Sequence, residues 1–256
     1  MCLLLIGNRV HPEYPLVVAA NRDEYYHRPT QPAGFWNEHP ALLAGRDLEK
    51  GGTWFGIDTT GRLAAVTNYR EPPGPESGRR SRGFLVRDYL TGVETAAKYL
   101  AEVSDDLKAY DGFNLIAGDQ DNLLFLSTYV KEPVVLGEGI HGISNGALDF
   151  PWPKVILGKA RLEQLLRASA APDQEELLEL LADRNIPDIT SKPASDPDPE
   201  TERMLVPIFV HGENFGTRSS TILICDRRGR IRFIEKSFDE EGNATGMLIF
   251  EFDVEK

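Results

Sequence analysis

Met1-Cys2-Leu3-Leu4-Leu5-Ile6-Gly7 opens the chain, and Leu16-Val17-Val18-Ala19-Ala20-Asn21-Arg22-Asp23-Glu24 follows after a short connection. Each stretch contains a short apolar run, which is typical of a strand buried on both faces. The second run ends abruptly in four strongly polar residues. The two stretches therefore predict buried strands, with polar side chains gathered where the second strand ends.

The overall charge and the cysteine count exclude several classes of function. The 256 residues include 28 Lys plus Arg and 40 Asp plus Glu, which gives a formal net charge of -12. Such an excess of carboxylates opposes binding to nucleic-acid phosphates and to anionic membrane surfaces. The two cysteines are too few for the disulfide framework of a secreted scaffold, and they do not have the spacing of zinc ligands. We therefore expect a cytoplasmic protein that binds no nucleic acid and has no metal site.

The apolar amino terminus lacks the pattern of a targeting segment. A secretory signal needs a basic leader and an apolar stretch of roughly 7 to 15 residues. Here the apolar run ends at Gly7, and the first charged side chain is that of Arg9. No apolar run approaches the roughly 18 to 20 residues that span a bilayer. We expect a chain that is not an integral membrane protein.

Hydrophobic periodicity predicts hairpins interrupted by helices along the rest of the chain. Strand pairs are expected at 54–58 with 63–67, at 114–117 with 123–129 and at 221–225 with 231–234, and a last strand at 247–252. Helices are expected at 84–89, 93–103, 155–167 and 174–182, and exposed loops at 71–82 and 186–200. Repeated hairpins with helices between them favour an α+β fold, with two stacked sheets and the helices outside. We expect one domain over residues 1–256.

Cys2 is the most informative candidate for chemistry. Aminopeptidases remove an initiator Met when the next side chain is small, so a mature chain would begin with a thiol of pKa near ~8.5 and an α-amine of pKa near ~7.7 to 8 on one residue. The amine can then take the proton as the sulfur attacks a carbonyl. The alternative is that Cys2 is a small apolar residue that opens a buried strand, as Cys225 is predicted to be a packed thiol. The sequence leaves both interpretations of Cys2 open.

Two asparagines also follow apolar stretches. Asn68 comes after the strand predicted at 63–67, and Asn145 comes after His141-Gly142-Ile143-Ser144. A lone asparagine in such a place is most often a turn residue. Because both asparagines are placed at strand ends, we expect them to lie close to the polar cluster at 21–24. Amide side chains in such a site can donate hydrogen bonds to a developing oxyanion.

Seven short motifs occur in order along the chain. They are Met1-Cys2, Ala20-Asn21-Arg22-Asp23-Glu24, Gly51-Gly52-Thr53-Trp54, Thr67-Asn68-Tyr69, Gly112-Phe113-Asn114-Leu115, Ser144-Asn145 and Gly216-Thr217-Arg218. Together they resemble the NRDE family, whose eukaryotic members are called transport and Golgi organisation proteins, over nearly the whole chain. The resemblance implies a four-layer αββα sandwich of the N-terminal-nucleophile hydrolase type. It also implies eukaryotic relatives linked to lipid metabolism and haem trafficking.

The chain is similar, more distantly, to the cysteine N-terminal-nucleophile enzymes of the bile-salt hydrolase and penicillin V acylase group. This similarity implies that Cys2 is the nucleophile of a hydrolase of linear amide bonds, acting on a non-peptide amide or acyl conjugate. It also implies that Asn68 and Asn145 match the two later asparagines of that group, and that Arg218 matches its late arginine.

The early polar cluster departs from that group's pattern. Those relatives space an arginine and an aspartate three residues apart, whereas Arg22 and Asp23 are adjacent. If Glu24 takes the aspartate's role, Asn21 stands where the arginine would be, so the residue that orients the amine is either Asp23 or Glu24. We expect Arg22 and Asp23 to act in catalysis. The residues expected to contact the substrate are Asn21, Glu24, Trp54 and Tyr69.

Other functions fit parts of the sequence. Gly142-Ile143-Ser144-Asn145-Gly146 fits the G-x-S-x-G pattern of serine hydrolases, with His211 downstream, but that pattern needs a helix immediately after the turn, and Pro151 and Pro153 delay any helix. A rival from another class is a haem or lipid-like ligand carrier without turnover, in which one of the five histidines is an axial haem ligand. We expect no bound cofactor other than haem as a possible ligand.

The loop predicted at 71–82 carries Arg79, Arg80 and Arg82 near its end. A solvated loop is the simple interpretation. The alternative is that this cluster closes over an anionic group of the substrate.

Overall fold

The computed structural model describes residues 2–70, 79–186 and 206–255, which form two antiparallel sheets; strands and helices are numbered in chain order. The first sheet contains, in spatial order, β10 (Gly139–Ile143), β1 (Cys2–Asn8), β2 (Leu16–Tyr25), β11 (Phe215–Cys225), β12 (Arg230–Phe238) and β13 (Ala244–Asp253). The second contains β3 (Thr30–Trp36), β4 (His39–Asp47), β5 (Phe55–Asp58), β6 (Leu63–Asn68), β7 (Phe113–Gly118), β8 (Leu123–Ser127) and β9 (Val130–Val135).

Helices cover the outer face of each sheet. α1 (Gly83–Thr91) and α2 (Ala96–Asp105) pack on the second sheet, and α3 (Pro153–Ala168) and α4 (Gln174–Leu181) pack on the first. None of the helices in the described ranges has the length and apolar character needed to cross a bilayer. The layers therefore run helix, sheet, sheet, helix, which confirms the predicted αββα sandwich.

The two opening strands are apolar throughout because both of their faces are covered. Leu4 and Ile6 of β1 pack between the sheets with Phe55 and Phe125 of the second sheet. The residues that alternate with them, such as Leu5, pack instead against the helix layer. A strand with two buried faces needs no polar alternation, which is why these runs are continuous in the sequence.

The predicted hairpins and helices are confirmed, with boundaries that shift by a few residues. The turn between β5 and β6 contains Gly61 with φ of 86°, the left-handed conformation that glycine adopts without strain. β3, β4, β9 and β10 were not predicted. β3 contains Pro32 and is mostly exposed or half-buried, so it carries no clear apolar pattern. Residues 71–78 and 187–200 of the two predicted loops lie outside the described residues.

A close backbone approach joins the loop after β4 to the start of α1. A Cβ atom at Gly52 would lie 2.6 Å from the backbone carbon of Gly83, so a larger residue at position 52 requires the two segments to separate. The Thr53 backbone N–H donates to the Gly83 carbonyl oxygen over 3.1 Å. Glycine at these positions therefore fixes the wall that carries Trp54 and the start of α1.

Candidate active site

A cleft of about 540 Å³ opens at the end of the sandwich where β1 begins. Charged side chains dominate its lining. The lining residues are Cys2, Arg22, Asp23, Glu24, Tyr25, Arg28, Asp47, Lys50, Thr53, Trp54, Val66, Asn68, Arg79, Arg80, Ser81, Arg82, Gly83, Phe84 and Asp111. The structure thus brings together six of the ten predicted site residues, namely Cys2, Arg22, Asp23, Glu24, Trp54 and Asn68.

Cys2 is held in place by the sheet. It pairs with Arg22 of β2, and the Ser144 hydroxyl donates a hydrogen bond to its carbonyl oxygen over 3.0 Å. Burial raises the pKa of the Cys2 thiol, while the charge of Arg22 and a hydrogen bond from the Asp23 backbone favour the thiolate. The sulfur is therefore a thiol in the resting site and needs a base to become a nucleophile.

Arg22 is a buried guanidinium beside the cysteine, only 5% exposed. Its centre lies 4.3 Å from the Trp54 ring centroid, its Nη1 donates to the Thr30 hydroxyl over 3.1 Å, and its Nη2 lies 3.8 Å from Glu24. Burial lowers its pKa, and Glu24 opposes that change. The ring and the carboxylate together hold this cation against the cleft.

Asp23 occupies the opposite face of β2, towards the helix layer. Its Oδ1 accepts a hydrogen bond from the Thr217 hydroxyl over 2.7 Å, and its Oδ2 lies 4.0 Å from Lys154 Nζ. Burial raises the pKa of the Asp23 carboxyl and lowers that of the Lys154 amine. Both groups are almost inaccessible to solvent, so the two charges depend on each other.

The two asparagines have different positions. Asn68 ends β6 and lines the cleft, and no hydrogen bond of its side chain to any other described residue is found. Asn145 is buried, and its Nδ2 donates to the Asn68 carbonyl oxygen over 3.0 Å. Asn68 is thus available to a substrate oxygen, while Asn145 holds the strand end that presents it.

Three other predicted site residues lie away from the cleft. Asn21 is buried on the helix side, where its Nδ2 donates to two backbone carbonyls and its Oδ1 accepts from Ser220. Tyr69 stacks on Tyr129 with the ring centroids 4.2 Å apart. Arg218 donates to the carbonyl oxygens of residues 25, 26 and 28. These side chains shape the backbone around the site rather than face it.

A β-bulge explains the position of Arg218. In the pairing of β11 with β2, Thr217 is opposite Asp23 and Ser219 is opposite Arg22, so Arg218 is an extra residue between them. A bulge re-aims the side chain it carries. Arg218 therefore turns to the carbonyls of the strand end, while Thr217 reaches Asp23.

The arginines predicted to receive an anion all line the cleft. Arg79 pairs with Asp111 at 2.9 Å and Arg80 with Asp88 at 3.4 Å. Arg82 donates to the Gly112 carbonyl oxygen, and no carboxylate lies within salt-bridge distance of it among the described residues. Burial lowers the pKa of Arg82. Of this cluster, Arg82 has the guanidinium that a substrate can most readily pair with.

The competing serine site is not assembled. The Ser144 hydroxyl is buried and donates to Cys2 and Asn145, and a turn rather than a helix follows it. No histidine is among the described residues that line the cleft. Within the described ranges, no group of three or more His, Cys, Asp or Glu side chains is arranged to hold a metal ion.

Sequence reasoning did not identify Lys154 or assign a role to Thr217. A lysine in the first turn of a helix ordinarily points to solvent, so the residue type alone does not indicate that Lys154 is buried beside Asp23. Thr217 belongs to a quoted motif, but only the bulge shows that its hydroxyl reaches Asp23.

The chain is similar to known proteins over nearly its full length. The model of the family described as Transport and Golgi organisation 2 matches residues 1–240. The chain is 38% identical to the Transport and Golgi organization protein 2 homolog of Bos taurus and 36% identical to that of Homo sapiens, and each alignment covers 93% of both chains. The penicillin V acylase from Agrobacterium tumefaciens has a TM-score of 0.50 at 14% identity, over 99% of this chain and 86% of that one. This last likeness shows the fold alone, that of the N-terminal-nucleophile hydrolases.

Proposed function

The chain belongs to the Transport and Golgi organisation 2 family, and from the geometry of the cleft we propose that it is an N-terminal cysteine amide hydrolase. One observation carries the proposal: Cys2 begins a strand inside a charged cleft, opposite Arg22 and beside the backbone of Asp23. A packed structural thiol needs no cleft. Cys225 shows the contrast, since it is 2% exposed and packs in the core between the sheets.

The first half of the reaction follows once Met1 has been removed. The α-amine of Cys2 takes the thiol proton as the sulfur attacks the amide carbonyl, and a C–S bond forms while the carbonyl electron pair moves to oxygen. The Asn68 side chain donates to that oxyanion. Collapse breaks the C–N bond, the amine product takes the proton from the α-ammonium group, and a thioester remains on Cys2.

The second half uses water and the same groups. The α-amine takes a proton from water as the oxygen attacks the thioester, and Asn68 again stabilises the oxyanion. The C–S bond then breaks, the sulfur recovers the proton, and the acid product leaves. A cysteine nucleophile must stay reduced, and both cysteines are free thiols, so a reducing compartment such as the cytoplasm suits this chemistry.

The cleft supports a small acyl conjugate with an anionic group as substrate. Its volume of about 540 Å³ lies within the roughly 300 to 1,000 Å³ of small-molecule sites. Arg82 lines the cleft without a carboxylate partner among the described residues, although the chain as a whole is strongly acidic. An anionic carboxylate or phosphate on the substrate would pair with it.

A carrier of haem or of a lipid-like ligand is the rival function. One observation favours it: burial raises the pKa of the Cys2 thiol, which disfavours the reactive thiolate. Cys2 is then part of a binding wall and undergoes no chemistry. A carrier binds its ligand equally well with Met1 present and with Cys2 replaced by alanine.

The test compares the chain that begins at Cys2, obtained by cleaving a fusion, with a chain that retains Met1. Intact mass establishes each amino terminus, and 2-cyanobenzothiazole, which condenses only with a free 1,2-aminothiol, shows that the amine and thiol are accessible. Aminomethylcoumarin amides of a fatty acid and of a dicarboxylic acid report turnover. Cys2→Ala is the test variant and Cys225→Ala is the matched control.

We expect the chain from Cys2 to release coumarin, and we expect activity to be lost in Cys2→Ala, retained in Cys225→Ala and blocked by Met1. Full turnover in Cys2→Ala would refute the assignment of the nucleophile. If no amide is cleaved and mass spectrometry finds no acyl adduct on Cys2, the hydrolase proposal fails. A Soret shift on haem titration at micromolar protein, unchanged in Cys2→Ala, would then support the carrier.

A further inference from the structure

A lysine that the proposed reaction does not use lies buried behind the catalytic cysteine. Lys154 is in the first turn of α3 and is 1% exposed. Its Nζ lies 4.0 Å from Asp23 Oδ2, and no hydrogen-bond partner for it is found among the described residues. Burying a charged amine is costly unless an opposite charge compensates it, so its presence here requires an explanation.

Two titratable groups within the described ranges act on Lys154. Asp23 on β2 favours the protonated amine, and Cys2 on β1 is the other titratable group that acts on it. The amino-terminal end of α3 carries the positive end of the helix dipole, which disfavours a cation there. The Asp23 carboxylate is therefore what permits Lys154 to carry a charge.

Removal of Met1 adds a second amine to this site, since it frees the α-nitrogen of Cys2. That residue pairs with Arg22, directly before Asp23, and the Asp23 charge already acts on its thiol. One buried carboxylate can compensate only one buried cation at low cost. The lysine amine has an ordinary pKa of ~10.4 and the α-amine one of ~7.7 to 8, so the α-amine gives up its proton first when both compete for the same partner.

We propose that Lys154 is a positioning residue of the catalytic centre: it supplies the cation that pairs with Asp23 and so leaves the α-amine of Cys2 uncharged and able to accept the thiol proton. The inference rests on the proposed function, because only an N-terminal nucleophile uses that amine as its base. Without Lys154, Asp23 would bind the α-amine as an ammonium ion, and the base would be occupied.

The test reads the α-amine directly and does not need a substrate. A full chain that begins at Cys2 and is labelled with [13C]cysteine has two labelled residues, Cys2 and Cys225, and the packed Cys225 serves as the internal reference. The Cα and Cβ signals of Cys2 are followed against pH. The variants are Lys154→Met, which removes the charge at similar length, Lys154→Arg, which keeps it, and Lys159→Met as a matched control.

In Lys154→Met we expect the α-amine to titrate at higher pH, with about a fivefold or greater loss of neutral amine at pH 7, from the ordinary pKa values. In Lys154→Arg the α-amine should titrate as in the unmodified chain, because the charge is kept. The same holds for Lys159→Met, because Lys159 lies further along α3 and pairs with Asp149 instead of Asp23. An α-amine that titrates at the same pH in Lys154→Met and in the unmodified chain would overturn the proposal.

A second measurement covers the case in which Lys154→Met does not fold. In a [13C]lysine-labelled chain, the Cε signal of Lys154 is assigned by its loss in Lys154→Arg. A charged Lys154 beside a neutral α-amine at pH 7 supports the proposal, and a neutral Lys154 beside a charged α-amine refutes it. If the titrations behave as expected but no amide is cleaved, the hydrolase proposal fails while the pairing of Lys154 with Asp23 stands.

Discussion

The two ends of β1 open into clefts of nearly equal size but different character. The Cys2 cleft has a volume of about 540 Å³, and a second cleft past the other end of the strand, lined by Arg9, Asp121, Glu138 and Arg227 among others, has about 560 Å³. The charges of this Arg9 cleft are exposed, whereas Arg22 in the Cys2 cleft is 5% exposed. The two clefts therefore do not differ in volume. They differ in the burial of their charged groups, because a buried charge has lost its water and needs fixed protein partners.

The largest expected contrast between the two clefts is in turnover. We expect Asn68→Ala to lower kcat by about 10² to 10³ with little change in KM, because it removes a donor to the oxyanion. Gln120→Ala, at the wall of the Arg9 cleft, should leave kcat unchanged. Both are measured on the coumarin amides, and an equal loss in the two variants would mean that the clefts do not differ in this way.

The next contrast is in the dependence of stability on pH. Glu235 of β12 is buried between the sheets, where its Oε1 accepts from the Ala33 backbone N–H over 2.7 Å, and burial raises the pKa of its carboxyl to about 7. The pKa is higher in the folded than in the unfolded state, so the stability it contributes is present below about pH 4 and is lost as the pH rises to about 7.

Glu235→Gln should remove this loss, because the amide oxygen still accepts from Ala33. At pH 8 we expect the variant to be more stable than the unmodified chain by up to about 4 kcal/mol, from the shift between about 4.3 and about 7. At pH 4 the two should agree. Urea unfolding at both pH values is the measurement, and a constant difference across this range would contradict the assignment.

A smaller effect is expected for Arg218, which supports the wall of the Cys2 cleft, than for Asn68. Arg218→Met removes hydrogen bonds to carbonyl oxygens near the end of β2, so we expect about 1 to 2 kcal/mol lower unfolding free energy. The loss of kcat should be smaller than in Asn68→Ala. A loss of kcat as large as that of Asn68→Ala, without a change in stability, would place Arg218 among the catalytic residues after all.

The smallest effect is expected at the Arg9 cleft. The double variant Arg9→Gln with Arg227→Gln removes two exposed arginines, and exposed charges contribute little to stability. We expect less than about 1 kcal/mol change in unfolding free energy and no change in coumarin release. A tenfold fall in turnover would show that the two clefts are coupled.

The sequence predicts most of the layered fold because buried strands and helices leave strong apolar patterns. It also predicts Cys2, Arg22 and Asn68 in the cleft, because Cys2 starts β1 and Asn68 ends β6 at the same end of the sandwich. Arg22 reaches the cleft from within β2, which continues to Tyr25 instead of ending before the polar residues at 21–24. It could not predict where Arg218 points. One extra residue in a β-bulge turns a side chain to the other face of the sheet, and the spacing of residues in the sequence does not reveal the bulge.

Lys154 and the two asparagines show the same limit. Whether a helix lysine faces solvent or an aspartate depends on how α3 docks on the first sheet, which is a property of tertiary packing. Asn68 and Asn145 look equivalent in sequence, but one side chain faces the cleft and the other binds the first one's backbone. Residue type and spacing therefore predict which segments lie near a site. Which side chains of those segments face the site depends on the pairing of the strands and the packing of the helices.

The place of Cys2 in the sheet also has a consequence for when the free amino terminus that the proposed reaction requires could be made. The residue is already paired with Arg22 and bound by Ser144 in the folded chain, whereas an aminopeptidase must draw the scissile bond into an extended conformation in its own site. β11, which completes the central pairing of this sheet, starts at residue 215 and is made roughly 10 to 40 s after Cys2 at about 5 to 20 residues per second. If the chain works as proposed, removal of Met1 is therefore easiest in that interval on the ribosome, and a chain that folds first would keep the proposed base blocked.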